Sequence, residues 1–212
     1  MIYELKTYDL QPHSVPEVER RFAEAYQRRR DISPMAAEFH TEIGPLNQVV
    51  QIWPYRDSNE RDRLTTALAG VEGWPAEIGE FLVRETTDTF TPFSFSPVIK
   101  PGIMGPYFEV RIYTFADGDL PHVALAWEAA LPERVKRSPL VAICFSEERG
   151  LNRLLQIWSY ETLDQRAEVR RDVRETGAWP PHVMAKKLGL PAYTLLQMEN
   201  RIMIPSPGSP LQ

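Results

Sequence analysis

Sliding the chain along itself by 105 positions brings Glu4 onto Glu109, Tyr8 onto Tyr113, Pro16 onto Pro121 and Ser33-Pro34 onto Ser138-Pro139. The same shift sets Gln51-Ile52-Trp53 on Gln156-Ile157-Trp158, Tyr55 on Tyr160, Arg61 on Arg166 and Trp74-Pro75 on Trp179-Pro180, without a gap. These 75 aligned positions hold 19 identities, where composition alone would give roughly four or five. A period this long matches a small domain and not a solenoid repeat. The chain is therefore read as two copies of one unit, residues 1–97 and 107–205. A Pro- and Gly-bearing linker, 98–106, joins them, and a flexible Pro/Ser/Gly-rich tail, 206–212, follows.

Each copy checks the other's elements. Alternating apolar and polar residues predict an opening strand over Ile2 to Asp9 and again over Tyr107 to Thr114. A helix follows in each, with Ser14 and Glu17 spaced as a capping box before Val15, Val18, Phe22 and Tyr26, and Asp119 preceding Leu120, Val123, Trp127 and Leu131. Pro132 is expected to end or kink the second of these helices. Hairpins come next: Met35 to Glu42 with Asn47 to Tyr55, and Leu140 to Glu147 with Asn152 to Tyr160. A second helix begins near Ser58 or at Thr162, the latter boxed with Gln165, and a last strand is placed at Thr86 to Phe95 and Tyr193 to Ile204. A small insertion falls near Leu188 to Ala192. The order is βαββαβ twice, so the fold class is α+β, two tandem ferredoxin-like units.

Strand parity adds a constraint. Glu4, Lys6 and Tyr8 share one face of the opening strand, and Gln51, Trp53 and Tyr55 share one face of the third; the opposite faces carry Tyr3, Leu5, Val50 and Ile52. The second copy repeats the split. A strand with one solvated face has no reason to place Trp and Tyr on its polar side twice, so both faces are expected to be covered. Packing the two sheets of one chain against each other, as a pseudo-dimeric α/β barrel, satisfies this.

Composition removes whole classes of function. Twenty-four Lys and Arg against 29 Asp and Glu give a formal charge of -5, the wrong sign for a nucleic-acid partner. No apolar run approaches the roughly 18 residues of a membrane span. A lone cysteine, Cys144, rules out a disulfide framework and multi-Cys metal centres, and the start at Met1-Ile2-Tyr3-Glu4 lacks a signal-peptide pattern, which favours a cytoplasmic setting. Cys144, beside Ile143 and Phe145, reads as a small buried hydrophobe. Neither a nucleophile elbow, a phosphate-binding Gly loop nor a dinucleotide fingerprint occurs. His13, His40, His122 and His182 do not recur between the copies, and only His40, between Glu38 and Glu42, hints at a metal set. No metal and no cofactor are expected. Arg28-Arg29-Arg30 and the run from Arg166 to Arg174 read as solvated helix faces.

The stretch Ile2 to Tyr8, then Thr41-Glu42-Ile43-Gly44-Pro45-Leu46-Asn47 leading to Trp53-Pro54-Tyr55, Arg61 and Phe93-Ser94-Phe95-Ser96-Pro97, resembles the NIPSNAP family. The second copy repeats the pattern in Tyr107 to Tyr113, Ser146-Glu147 to Asn152, Trp158-Ser159-Tyr160 and Arg166, and echoes the Phe-Ser-Pro close only loosely in Ile204-Pro205-Ser206-Pro207. The resemblance implies a dimeric α/β barrel, with this tandem chain supplying both halves. It implies no particular reaction.

The candidate ligand-binding set is Glu4, Lys6, Tyr8, Asn47, Gln51, Trp53, Tyr55 and Arg61, with Glu109, Arg111, Tyr113, Asn152, Gln156, Trp158, Tyr160 and Arg166. A carboxylate, a cation, two amides and aromatic walls on one face would line an apolar pocket with a few polar groups, between sheet and helices of each half. Such a pocket suits a small polar-aromatic or carbonyl ligand. The bland reading pairs Glu4 with a neighbouring cation and lets Asn47 and Gln51 satisfy turn and strand backbone. An enzymatic reading makes Tyr8 or Tyr113 and Glu4 or Glu109 the acid and base on a phenolic or enolisable substrate, with Asn47 and Asn152 steadying an oxyanion. In a third, the barrel presents a surface to partner proteins. Open sheet edges could also join two chains into a homo-oligomer.

Overall fold

The computed structural model describes residues 1–146, 152–177 and 179–212. Its element order is β1 (Ile2–Leu10), α1 (Val15–Arg29), β2 (Ala37–Ile43), β3 (Gln48–Tyr55), α2 (Ser58–Leu68) and β4 (Leu82–Pro92). Then come β5 (Tyr107–Phe115), α3 (Leu120–Arg134), β6 (Leu140–Ser146), β7 (Asn152–Tyr160), α4 (Leu163–Glu175), α5 (Pro181–Lys187) and β8 (Leu195–Pro205). This is βαββαβ twice, with one short extra helix, α5, where the second copy carries its insertion. The expected strand end at Glu147 lies outside the described residues.

The chain divides into two compact units. The first holds Met1–Thr91, Ile99–Ile103 and Arg201–Gln212; the second holds Pro92–Val98 and Met104–Asn200. In the first, β1 lies between β3 and β4 and all three are antiparallel, with Glu4 opposite Trp53 and Lys6 opposite Gln51; β2 then pairs with β3, and Ile202 to Pro205 of β8 pair with β2. In the second, β7 lies between β5 and β6, with Glu109 opposite Trp158 and Arg111 opposite Gln156. Both faces of these strands are covered. Tyr3, Leu5, Val50 and Ile52 are buried on one side, and Glu4, Tyr8, Gln51 and Trp53 on the other.

Helix α1 turns Val18, Phe22, Ala25 and Arg29 to one side, a spacing of four, three and four that keeps them on one stripe. Tyr8, Leu10, Val18, Phe22, Val49 and Ile78 form the core beneath it. Its start differs from the capping-box expectation. Ser14 has helical backbone angles, so its hydroxyl donates to Gln11 O at 2.7 Å and caps nothing, while Glu17 engages Arg20 and Arg21. Helix α2 is capped instead by Asp57, which accepts from Glu60 N at 2.9 Å, and α4 by Thr162, which accepts from Gln165 N at 2.9 Å. Both caps have extended backbone angles, which aim the side-chain oxygen at the first turn. Pro132 does not end α3, which continues to Arg134; Leu131 and Arg134 are both buried and hold the last turn in place.

The last strands also shift from their expected positions, to Leu82–Pro92 and Leu195–Pro205. Residues 206–212, expected as a flexible tail, are packed on the first unit. Ser206, Ser209 and Leu211 are buried, Ser209 Oγ accepts from Glu38 N at 2.8 Å, and Ser206 N donates to Glu38 O at 3.0 Å. The physical reason is that these residues satisfy the backbone of β2 and cover apolar surface beside it. Residues of the expected linker are likewise anchored, since Ile99 N donates to the Tyr3 hydroxyl at 3.1 Å and Gly102 bridges Leu211.

A chain ending at Pro205 loses the buried Leu211 side chain, worth about 2 kcal/mol, and two backbone partnerships of about 1 kcal/mol each. Its melting temperature should fall by roughly 8–16 °C. Thermal denaturation of the two chains side by side checks this, and equal midpoints would mean the segment contributes no stability.

Candidate functional site

Two arginines are buried on the helix side. Arg29, read from sequence as part of a solvated basic patch, is 5% exposed. Its guanidinium lies 3.4 Å from the Trp53 ring centre and 4.7 Å from that of Trp74, and its Nη2 donates to the Tyr55 hydroxyl at 2.7 Å and to Ser33 Oγ at 3.2 Å. Arg134 repeats the arrangement with Trp158 at 4.0 Å, Trp179 at 5.8 Å, Tyr160 at 2.8 Å and Ser138 at 2.6 Å. Burial lowers the pKa of both guanidiniums, an effect opposed by the tyrosine beside each. Burying a cation without a partner costs several kcal/mol; here aromatic faces and hydroxyl acceptors replace the lost water. The signal was present in the sequence. Arg29, Ser33 and Tyr55 each recur at the 105-residue shift, whereas Arg28 and Arg30 do not.

Around Arg29 the first unit opens a cleft of about 620 Å³ between sheet and helices. Of the predicted set, Glu4, Lys6, Tyr8 and Tyr55 line it. Leu68, Trp74 and Ile78 supply apolar wall, and Lys6 Nζ meets Glu85 at 3.1 Å. Gln51 and Trp53 lie behind this lining. The Trp53 indole donates to Gln51 Oε1 at 3.1 Å, as does the Tyr8 hydroxyl at 3.4 Å, and Gln51 Nε2 donates to Glu38 Oε2 at 2.6 Å. Arg61 stands 3.9 Å from Glu4. Asn47 is elsewhere: it occupies the β2–β3 turn at φ 55, a left-handed position Asn tolerates, and its carbonyl accepts from Leu10 N.

The second unit keeps the residues and loses most of the space. Its cavity measures about 170 Å³ and is lined by Glu109, Arg111, Tyr113, Gln156 and Trp158 of the predicted set, along with Arg134, Arg170 and Arg174. The 105-residue shift matches Arg170 to Thr65 and Arg174 to Ala69, both of which line the larger cleft. On the last strands, counted from their first residues, Met198 stands where Glu85 does, so the counterpart of Lys6 has no acid to meet there. Arg111 turns instead to Glu109, with Nη1 at 3.0 Å from Oε1; Arg166 Nη2 reaches the same oxygen at 2.5 Å and Arg170 Nη1 at 3.3 Å. The Tyr160 hydroxyl donates to Oε2 at 3.3 Å. Burial works to raise the Glu109 pKa, yet the three cations win and hold it below the usual carboxylate range. Each attraction is worth about 4 kcal/mol at 4 Å in an effective dielectric of 20. Asn152 closes a strand end, donating to Ala116 O at 3.0 Å.

The acid, base and oxyanion set is not assembled. Burial and the nearby Glu85 push the Tyr8 phenol far above its ordinary value, burial raises Tyr113 too, and Glu109 is committed to three arginines. Asn47 and Asn152 serve backbone. His40 Nδ1 sits 2.8 Å from Glu19, which holds its pKa up, while Glu38 bonds Gln51 and Glu42 is exposed. Cys144 is buried, and burial drives its thiol up to about 12.

The architecture and the recurring Arg–Trp–Tyr cluster define a class: a tandem ferredoxin-like protein whose halves have kept a common frame and diverged at the cavity. A sequence model of the NIPSNAP family matches residues 3–97 and 108–210, and the chain belongs to that family. It is similar to human NipSnap homolog 3B, 26% identical over 218 residues that cover 99% of this chain and 85% of that protein. A solved NIPSNAP-like domain protein from Burkholderia xenovorans is 34% identical over 47% of this chain and 91% of its own, with a TM-score of 0.43. A putative monooxygenase from Fusobacterium nucleatum shares the fold at a TM-score of 0.67 and 8% identity, over 97% of this chain and 92% of its own. Among the described residues no helix is long and apolar enough to cross a membrane.

Glu38 yields a pH prediction. Burial raises its carboxyl from 4.5 to about 7, against the opposing hydrogen bond from Gln51. Between those values the unfolded chain has released the proton and the folded one keeps it, so this group's contribution is complete below pH 4.5 and is lost as pH rises through 7. Glu38→Gln should therefore gain about 3 kcal/mol on the natural protein between pH 4.5 and pH 8. Denaturant unfolding of both across that range checks it; curves that stay parallel would count against the raised value.

Proposed function

We propose that the first unit binds a small organic ligand in its helix-side cleft, and that the second unit has lost the room to do so. The observation that supports this is the contrast between the halves. The frame of Arg, Trp, Tyr and Gln is common to both, yet only where Thr65 and Ala69 stand in place of arginines does it border a cleft of about 620 Å³. That volume lies within the range of ligand sites, and its lining fits one too, mostly apolar with a few convergent polar groups. The apolar end, at Leu68, Trp74 and Ile78, suits a ring or short chain. At the other end, Lys6 and the exposed Glu85 form a pair, which a carbonyl or carboxylate could join by accepting from Lys6 Nζ. A ligand with an aromatic or aliphatic body and one such head group satisfies both ends. Binding, not turnover, is the reading the side chains favour, because the phenol at Tyr8 is committed to Gln51 and is raised well above neutrality.

A thermal-shift panel of aromatic carboxylic acids and ketones tests the reading. A true ligand at a hundred times its Kd stabilises by about 2.7 kcal/mol. The double variant Thr65→Arg, Ala69→Arg, which imports the second unit's residues, should fold and lose that shift. A shift that survives the double variant, or a panel that leaves the natural protein unmoved, would sink the proposal.

A further inference from the structure

The second unit's cavity carries more positive charge than its carboxylate answers. Arg111, Arg134, Arg170 and Arg174 line it, and Arg166 reaches in to Glu109. Among the described residues, Glu109 is the one carboxylate within 4 Å of Arg111, Arg166 or Arg170. Five guanidiniums around one carboxylate leave an excess of four positive charges. Arg174 is exposed and Arg170 partly so, and water screens them; Arg111 and Arg134 are 8% and 3% exposed. A guanidinium stays charged, so the excess cannot be relieved by losing a proton.

Donors in this cluster also outnumber acceptors. Among the described residues, Arg111 Nε and Arg166 Nε are buried without a hydrogen-bond partner, and so is Gln156 Nε2. The amide's orientation is fixed, because the Trp158 indole can only donate and does so to Gln156 Oε1 at 2.7 Å. In the first unit the matching amide nitrogen is satisfied by Glu38; in the second, the strand position opposite Gln156 is Ile143. Four differences between the two units run the same way: Thr65 to Arg170, Ala69 to Arg174, Glu85 to Met198 and Glu38 to Ile143 each add a cation or remove an acid.

We propose that this cavity is an anion site that takes a small oxyanion of phosphate or sulfate size. Planar guanidiniums suit such a group because two parallel N–H bonds from one fork match two oxygens. At about 170 Å³, against about 30 Å³ per water in the liquid, the cavity has room for one tetrahedral anion. The anion could be free or could be the terminal group of a larger molecule whose remainder stays outside; the recognised chemistry is the same. This site is separate from the first unit's cleft, and neither proposal depends on the other.

Isothermal titration of the full chain with sodium phosphate, against sodium chloride at matched ionic strength, tests it. Phosphate should bind saturably where chloride does not. Arg170→Thr, which installs the first unit's residue at a partly exposed position, should weaken phosphate binding at least tenfold, while Arg63→Thr at an exposed position of α2, outside both cavities, leaves it unchanged. Unfolding midpoints measured without anion confirm that each variant is folded. Phenyl phosphate binding as tightly as phosphate would assign the site to the end group of an organic molecule, and phosphate binding alone would assign it to the free anion; both support the proposal. Indistinguishable titrations with phosphate and chloride, or unchanged affinity in Arg170→Thr, would overturn it.

Discussion

A guanidinium sealed between two indole rings has no inexpensive alternative position. Arg29 cannot shed its charge, and moving it away from Trp53, Trp74, Tyr55 and Ser33 would strand a cation in apolar surroundings or open the core to water. The contact joins the last turn of α1, the end of β3 and the segment before β4, three pieces far apart in sequence. The spacing between helix and sheet is thereby set, and with it the depth of the cleft. The same contact at Arg134 does the same for the second unit.

With that frame common to both halves, divergence had to occur at its margin. Substitutions on the face of α2 and its counterpart α4 change the space above the arginine without disturbing it. Threonine and alanine leave a cleft; two arginines close most of it, and one of them, Arg170, reaches Glu109. The buried Glu38 is a similar case. It completes a hydrogen-bonded line from Tyr8 through Gln51 in the first unit, and its replacement by Ile143 leaves the corresponding amide in the second unit with a donor to spare.

Much of this was legible in the amino-acid sequence, because duplication lets each element be read twice and strand alternation is a strict period of two. The βαββαβ order, the burial of both strand faces and the lining role of Glu4, Lys6, Tyr8, Glu109, Arg111 and Tyr113 follow from those two facts. Arg29 was obscured by its neighbours: in a run of three arginines at a helix end, only the helix's own stripe tells which one turns inward. Strand parity points Asn47 at the cavity, but the strand begins at Gln48 and Asn47 sits in the turn before it, where parity no longer applies. Ser14 shows the limit of local patterns, since a capping spacing caps only if the backbone at that residue is extended. Cavity volume was the least legible feature, because it depends on which face of α2 looks toward the sheet.

The return of Arg201–Gln212 to the first unit has a bearing on how the molecule is made. A ribosome delivers the leading half long before it delivers the residues that cover β2 and bond the backbone of Glu38. That half must wait, with one strand edge unclothed, through the synthesis of the entire second unit. Its completion waits for Arg201–Gln212, so a chain stalled within the second unit would present to the cell a sheet still open on one side.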